Sequence, residues 1–141
     1  MSDCIFCDIL KGKTEASIVL RDQICCAFLD IQPANLGHVL IIPVQHAASM
    51  SELDEETGAH IFRIGMRIAK AIRSSEIQCE GINFHLADGA AAGQEIFHVH
   101  LHIIPRIQDD GFGFKFARGR ALQAPRIDLN SVAEKIRTVL E

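Results

Sequence analysis

The stretch Phe97-His98-Val99-His100-Leu101-His102-Ile103-Ile104-Pro105 decides the fold prediction, because three histidines alternate with apolar residues before a proline. Successive side chains of a β-strand point to opposite faces, whereas a helix would spread the histidines around its circumference. Residues 97–104 therefore predict a strand with His98, His100 and His102 on one face. The apolar residues form the other face, which we expect to pack in a core.

The histidine face has two interpretations. It is either the polar outer face of an amphipathic strand or part of a functional site. Imidazole serves as a nucleophile, as a general acid or base, and as a metal ligand. Three histidines in strict alternation favour the functional site.

Length and composition predict a single globular domain over residues 1–141. Hydrophobic residues make up 48% and charged residues 23% of the chain, which is typical of such domains. The longest apolar runs, such as Val39-Leu40-Ile41-Ile42, are too short to span a bilayer, so we expect no membrane association. Met1-Ser2-Asp3-Cys4 contains neither a basic nor an apolar signal region, which predicts a cytoplasmic protein.

The net charge limits the class of partner. A formal charge of −4 disfavours non-specific nucleic-acid binding, which requires a basic surface. It does not exclude a small nucleotide, because a few local donors can hold one.

Further patterning predicts the remaining elements. Apolar and β-branched runs indicate strands over 18–20, 24–30, 39–42, 82–86 and 97–104, the first two forming a hairpin and 39–42 lying centrally. Ser51 or Asp54 can cap a main helix through residues 61–72, and Asn130 or Ser131 can cap a last helix. Because the strands are mostly consecutive, we expect an α+β fold with a five-stranded antiparallel meander sheet and two main helices.

A loop of small residues precedes the histidine run. Gly89 to Gln94 would let the backbone approach an anion closely, although such loops are often only tight turns. Next to His100 and His102, the loop indicates a phosphate site that faces a nucleophile. His38, at the start of the central strand, can help to stabilise the phosphate oxygens.

Cysteine and histidine residues suggest a metal site. Cys4 and Cys7 form a C-x2-C pair, and with His46 and His98 they make a Cys2His2 set suited to a structural zinc ion. The alternative is a pair of buried free thiols. Five cysteines, an odd number, argue against a disulfide framework.

Residues 98–104 match the His-φ-His-φ-His-φ-φ signature of the histidine triad superfamily of nucleotide hydrolases and transferases, where φ is an apolar residue. The resemblance covers nearly all of the chain. It extends to Cys4-Ile5-Phe6-Cys7, to Phe28-Leu29-Asp30-Ile31, to Gly37-His38-Val39-Leu40-Ile41-Ile42-Pro43 and to Ala91-Ala92-Gly93-Gln94. The chain is most similar to the zinc-bearing bacterial-type branch.

The resemblance implies a homodimer whose sheets join into one of about ten strands, and a site for a purine nucleoside monophosphate. It implies that His100 attacks the α-phosphorus, with His102, His38 and Gln94 assisting. It also implies zinc ligands at Cys4, Cys7, His46 and His98. The nucleotide contacts that it implies are Phe6, Ile9, Asp30, Ile31, Gly93, Gln94, Glu95, His100 and His102.

Two positions depart from the pattern of the family. Ala87 replaces a frequent asparagine, and Glu95 replaces a frequent serine or threonine near the phosphate. The favoured activity is a purine nucleoside phosphoramidase that acts through a covalent nucleotidyl-histidine. The alternatives are a dinucleoside polyphosphate hydrolase, a nucleotide-binding regulatory module with little turnover, and a zinc-stabilised structural protein.

Overall fold

A computed structural model describes residues 3–113 and 123–141 of the chain. The chain forms two compact units, Met1–Asp110 and Gly111–Glu141. All of the strands lie in the first unit, and the C-terminal helix lies in the second. Among the helices in these described ranges, none is both long and apolar enough to cross a membrane.

The first unit is an α+β fold built on one sheet. Its strands are β1 (Ile18–Arg21), β2 (Cys25–Leu29), β3 (Val39–Pro43), β4 (Gly81–His85) and β5 (Leu101–Arg106), and its helices are α1 (Ile5–Leu10) and α2 (Glu55–Arg73). Five strands pair in the order β1-β2-β3-β5-β4, and every pair is antiparallel. The predicted fold class, the β1–β2 hairpin and the central position of β3 are confirmed. The order departs from a simple meander at one point. After β3, helix α2 leads to the edge strand β4, and β5 then lies between β3 and β4.

The two faces of the sheet pack against different helices. On one face, α2 covers a core that includes Ile41, Leu101 and Ile103. On the other face, Phe6 and Ile9 of α1 pack with residues of β2 and β3. The histidines that the sequence singled out lie on the α1 side, where the ring of Phe6 contacts two of them.

Helix α2 begins where the sequence predicts. The side chain of Asp54 accepts a hydrogen bond from the Thr57 backbone N–H at 2.9 Å, so of the two predicted caps Asp54 is the N-cap and Ser51 is not. A Cβ atom at Gly65 would lie 3.0 Å from Phe84 and 3.1 Å from Ile103. The missing side chain therefore lets the helix backbone approach β4 and β5 closely.

The predicted strand over residues 97–104 is wrong at its start and its end. Strand β5 pairs with β3 only at 101–103, and the backbone N–H of Val99 instead donates to the Ala47 carbonyl at 2.8 Å. His98 and His100 therefore precede the strand. Pro105 does not end β5. At this position β5 pairs with β4 but no longer with β3, so the N–H that proline lacks is not needed for a hydrogen bond to β3.

The second unit contains α3 (Arg126–Val139). The predicted caps at Asn130 and Ser131 are wrong, because both residues lie inside the helix. Pro125 precedes the first turn with φ −56°, a value that its ring imposes and that suits a helix start. Several apolar side chains of this helix are exposed, among them Ile127, Val132 and Val139.

Candidate active site and metal centre

Two clusters of side chains adjoin the segment from His98 to His102. The first cluster consists of two cysteines and two histidines, Cys4, Cys7, His46 and His98. The second consists of a carboxylate and two histidines, Asp30, His38 and His102. The aromatic ring of Phe6 meets His98 and His100 edge-on, with centroids 5.8 and 5.2 Å apart. Phe6 therefore contacts His98 of the first cluster and also His100, which adjoins the second cluster.

The first cluster brings together Cys4, Cys7, His46 and His98, which are the four predicted zinc ligands. The Nδ1 atom of His98 lies 3.3 Å from the sulfur of Cys4, 3.6 Å from that of Cys7 and 3.2 Å from Nδ1 of His46. A tetrahedral zinc ion with bonds of about 2.3 Å to sulfur and 2.0–2.1 Å to nitrogen separates its ligand atoms by roughly 3.3–3.8 Å. The donor set and its spacing therefore fit zinc.

Hydrogen bonding prepares His98 for this role. Its Nε2–H donates to the carbonyl of Pro43 at 2.9 Å, so the lone pair of Nδ1 faces the two sulfur atoms. Burial lowers the pKa of His98, which favours the neutral imidazole that binds metal. Burial and the Cys4 thiol raise the pKa of Cys7, so an incoming zinc ion must displace a thiol proton.

Beside the second cluster, His100 has one ring nitrogen engaged in a hydrogen bond and one available. Its Nδ1–H donates to the carbonyl of His98 at 2.7 Å. This hydrogen bond places the proton on Nδ1 and leaves a lone pair on Nε2. The His98 carbonyl therefore fixes the orientation of the His100 ring.

A hydrogen-bonded chain orients His38 and His102. The backbone N–H of Ala34 donates to Nδ1 of His38 at 3.1 Å, so the proton of His38 is on Nε2. That Nε2–H donates to Nδ1 of His102 at 2.8 Å, with a carboxylate oxygen of Asp30 at 3.7 Å from the same Nε2. His102 therefore carries its proton on Nε2.

The imidazole rings of His38 and His102 are both held in the neutral form. Burial lowers the pKa of His38, although Asp30 opposes the shift. Burial, with the neighbouring imidazoles, lowers the pKa of His102 to about 3. His102 can thus donate a hydrogen bond at neutral pH without carrying a charge.

A cavity of about 490 Å³ lies beside His100 and His102, within the range of small-molecule sites. Phe6, Ile9, Phe28 and Leu40 supply much of its apolar wall. Eight of the nine predicted nucleotide contacts line it, namely Phe6, Ile9, Asp30, Ile31, Gly93, Glu95, His100 and His102. The described lining also includes Glu15, but neither lysine nor arginine.

The ninth predicted contact, Gln94, does not line the cavity, and its predicted role at the phosphate is not what the structure displays. Its side-chain oxygen accepts from the Gly89 N–H at 2.8 Å, and its side-chain N–H groups donate to the carbonyls of Ala48 at 2.8 Å and Ile96 at 3.1 Å. Gln94 is buried, so its amide holds the loop together instead of facing a ligand. Gly93 adopts φ 91°, which turns the backbone without steric cost.

The two positions that depart from the family pattern differ in exposure. Ala87 is buried, and the neighbouring Asp88 accepts a hydrogen bond from the Met50 N–H at 2.9 Å. Glu95 is exposed and lines the cavity. Only Glu95 can therefore meet a ligand directly.

Sequence reasoning missed two features. His85 pairs with His102 across β4 and β5, and their ring centroids are 5.4 Å apart. Its place at the end of the predicted fourth strand was the available signal. Asp22, Cys25 and His60 also lie together, and Nε2–H of His60 donates a hydrogen bond to the Asp22 carboxylate at 2.7 Å. No local spacing indicated that second group.

Comparisons with known proteins identify the family. The family model described as the HIT domain matches residues 11–109. A HIT family protein from Bacillus anthracis has a structure that superposes with a TM-score of 0.90 at 35% identity, covering 99% of each chain. A zinc-bound histidine triad family protein from Mycobacterium smegmatis superposes with a TM-score of 0.75 at 37% identity, covering 84% of this chain and 85% of that one.

A relative with a described activity matches as well. The adenosine 5'-monophosphoramidase of Schizosaccharomyces pombe is 39% identical over 107 residues, which are 76% of this chain and 77% of that protein. The histidine run, the sheet and these matches agree. The chain belongs to the histidine triad, or HIT, family.

Proposed function

We propose that the chain is a nucleotide hydrolase that releases a nucleoside 5'-monophosphate from an amine, through a covalent nucleotide bond to His100. The observation that carries this proposal is the His100 ring. Its Nδ1–H is bound to the His98 carbonyl at 2.7 Å, so Nε2 is the ring nitrogen left to attack a ligand in the adjoining cavity.

The proposed reaction has two steps. In the first, Nε2 of His100 attacks phosphorus, the phosphorus–nitrogen bond to the amine breaks, and the amine departs with the bonding electrons and takes up a proton from the solvent. In the second, water attacks the same phosphorus, the bond between phosphorus and Nε2 breaks, and a proton of that water returns to the solvent as the monophosphate and free His100 are released. The Nε2–H of His102 donates to a phosphate oxygen, and the hydrogen bond from His38 holds that ring in position.

The residues of the cavity suggest how the nucleotide binds. Phe6 and Ile9 pack against the base, with Ile31 at the open edge. Asp30 accepts hydrogen bonds from the ribose hydroxyls. Apolar walls and a carboxylate suit a nucleoside, whose base can pack its flat faces against apolar side chains and whose sugar carries hydroxyl donors.

The charge of the cavity favours the phosphoramidase over the dinucleoside polyphosphate hydrolase. A polyphosphate leaving group carries several negative charges, and enzymes that bind such groups supply lysine, arginine or metal ions. The described lining offers three carboxylates, Glu15, Asp30 and Glu95, and neither of those basic residues. The 39% identical relative from Schizosaccharomyces pombe, a monophosphoramidase, supports the same choice.

We further propose that Cys4, Cys7, His46 and His98 hold a structural zinc ion. A closed set of four protein ligands leaves no open position for a substrate, so the ion would stabilise the fold and fix His98. We also propose a cytoplasmic location, where nucleotides are available and the five free cysteines stay reduced.

A homodimer of single-domain subunits completes the proposal. Phe62 and Met66 of α2 are exposed by 52% and 60%, and the ring of Phe62 contacts Phe84 on edge strand β4. A partner that covered this patch could also pair β4 with β4 and join the two sheets. Sedimentation of the parent and of Phe62→Glu tests this surface, and a parent monomer would contradict it.

The experiment that tests the activity uses adenosine 5'-phosphoramidates. The zinc-loaded protein is mixed with the substrate, quenched within milliseconds and digested, and the peptides are analysed by mass spectrometry. We expect an adenylyl group on His100 in the parent and none in His100→Ala, together with release of the amine only by the parent.

Two results would contradict the proposal. Release of the amine that persists in His100→Ala would exclude His100 as the nucleophile. Tight binding of AMP with no release of the amine would instead indicate the regulatory binding module. Metal analysis of each sample shows whether zinc is retained, so that loss of the fold is not mistaken for loss of the nucleophile.

A further inference from the structure

The side chain of Glu95 occupies a wall that two cavities share. One is the cavity beside His100, and the other, of about 670 Å³, adjoins Cys4, Cys7 and His46. The residues common to both linings are Ile5, Glu95 and Ile96. The wall is therefore a border between the proposed nucleotide site and a second open space.

The carboxylate of Glu95 is exposed and has no ion-pair or hydrogen-bond partner among the described side chains. Asp30 differs, because its oxygens accept from the Gln32 N–H and lie near His38. Glu15 is exposed as well but lines only the nucleotide cavity. Glu95 is thus a carboxylate on the shared wall that a ligand can pair with.

The wall that the two cavities share offers a path for a leaving group. If the base and ribose fill the part of the cavity near Phe6, Ile9 and Asp30, phosphorus lies beside His100. The leaving group then points away from His100, because attack and departure at phosphorus are in line. Glu95 lines this cavity and also the second one, so a leaving group that extends from the first into the second would pass its carboxylate. A filled zinc site with two thiolates and two neutral imidazoles carries no net charge, so it would not cancel the charge of Glu95.

We propose that Glu95 is a specificity-determining residue that selects amine leaving groups bearing a second, positively charged group. This inference rests on the proposed phosphoramidase function and names the leaving group for that reaction. The apolar residues Ile5, Ile96 and Phe97 of the second cavity would pack along an aliphatic stem, and the carboxylate would pair with an ammonium group at its end. Aliphatic diamines have this chemistry.

The test compares two synthetic substrates that differ in charge at one end. Adenosine 5'-monophosphate is joined through phosphorus–nitrogen bonds to cadaverine, which keeps one ammonium group, and to n-hexylamine, a neutral chain of equal length. The measured quantity is the ratio of kcat/KM for the first substrate to that for the second. Comparing this ratio between variants cancels the intrinsic reactivity of each substrate.

We expect Glu95→Gln to lower the ratio about fivefold, the effect of an exposed charge pair, and high salt to lower it in the parent. Glu15→Gln is the matched control, because it removes an exposed carboxylate that lines the nucleotide cavity alone, and it should change the ratio by less than about twofold. Glu95→Lys should reverse the preference and raise kcat/KM for diadenosine tetraphosphate.

The outcomes separate this inference from the function on which it rests. A ratio that is unchanged in Glu95→Gln and in Glu95→Lys, with both substrates still hydrolysed, would overturn the role of Glu95 alone. Failure of the parent to hydrolyse either substrate, or hydrolysis that survives in His100→Ala, would overturn the proposed phosphoramidase. A shift of equal size in Glu15→Gln would also overturn the role of Glu95, because the effect would then belong to the whole cavity.

Discussion

His98 and His100 are two residues apart and both are buried, yet the structure prepares them for different chemistry. The Nε2–H of His98 is bound to the Pro43 carbonyl, so its Nδ1 lone pair faces two sulfur atoms. The Nδ1–H of His100 is bound to the His98 carbonyl, so Nε2 is left for the cavity. In each ring, the nitrogen that donates a hydrogen bond to a backbone carbonyl keeps the proton, so the lone pair is on the other nitrogen, which faces the sulfur atoms in His98 and the cavity in His100.

The largest expected effect separates the two histidine roles directly. His100→Ala removes the proposed nucleophile, so we expect hydrolysis of an adenosine phosphoramidate to fall by at least about 10⁴-fold. Because His100 is not in the metal cluster, zinc content should stay at the parent level. Steady-state kinetics with metal analysis measures both, and a variant that loses zinc as well would show that the two clusters are not independent.

Cys4→Ser tests the other half of the comparison, the metal-ligand set to which His98 belongs. Removal of one thiolate opens the four-ligand set, so we expect loss of bound zinc. With free zinc at about a thousand times Kd, the free energy of unfolding should fall by about 4 kcal/mol. Cys79→Ser is the control, since that partly buried thiol lies outside the cluster. Chemical denaturation with and without a chelator makes the measurement, and unchanged zinc content in Cys4→Ser would rule out the ligand set.

The pH dependence of stability probes the neutral chain of His38 and His102. An unfolded histidine binds its proton near pH 6.5, whereas folded His102 has a pKa of about 3. Between these values the unfolded state binds more protons, so the free energy of unfolding falls as the pH drops from about 6.5 toward 3. His102→Gln should reduce this loss between pH 7 and pH 4 by roughly 3 kcal/mol, as measured by urea denaturation. An identical pH dependence in both proteins would contradict the buried, neutral state of His102.

The smallest expected effect concerns the loop that borders both clusters. Gln94→Ala leaves the Gly89 N–H and the carbonyls of Ala48 and Ile96 without their partner, which should cost about 1–3 kcal/mol in thermal denaturation. Gln32→Ala is the control, because Gln32 is an exposed glutamine on the wall of the nucleotide cavity and its removal should change stability by less than about 0.5 kcal/mol. Unchanged stability with a large loss of kcat would instead support a direct role of Gln94 at the phosphate.

Much of the fold was readable from local patterns. Alternating and continuous apolar runs predicted all five strands, and Asp54 marked the start of α2. The error at residues 97–100 has a nonlocal cause, since the strand begins only where β3 offers ladder partners. The same limit applies to α3, where Pro125 begins the helix earlier than the polar residues Asn130 and Ser131 suggested.

The sequence predicted those residues of the candidate site whose side-chain type alone indicates a chemical role. The C-x2-C pair and the histidines predicted a metal-ligand set whose four members the structure brings together. Glutamine at position 94 gave no such indication, because the direction of its amide depends on Ala48, which is distant in sequence. His85 was missed for a similar reason, since only strand pairing brings it next to His102.

The contrast between Gln94 and Glu95 has a consequence for how the protein can be changed. One residue is buried and bound to three backbone groups, and the next is exposed on the wall between two cavities. Of these adjacent loop residues, Gln94 thus stabilises the fold, and Glu95 is free to determine which ligand binds. A library that varies Glu95 while Gln94 is kept would explore new leaving groups on an intact scaffold, and natural divergence within the family has the same route open to it.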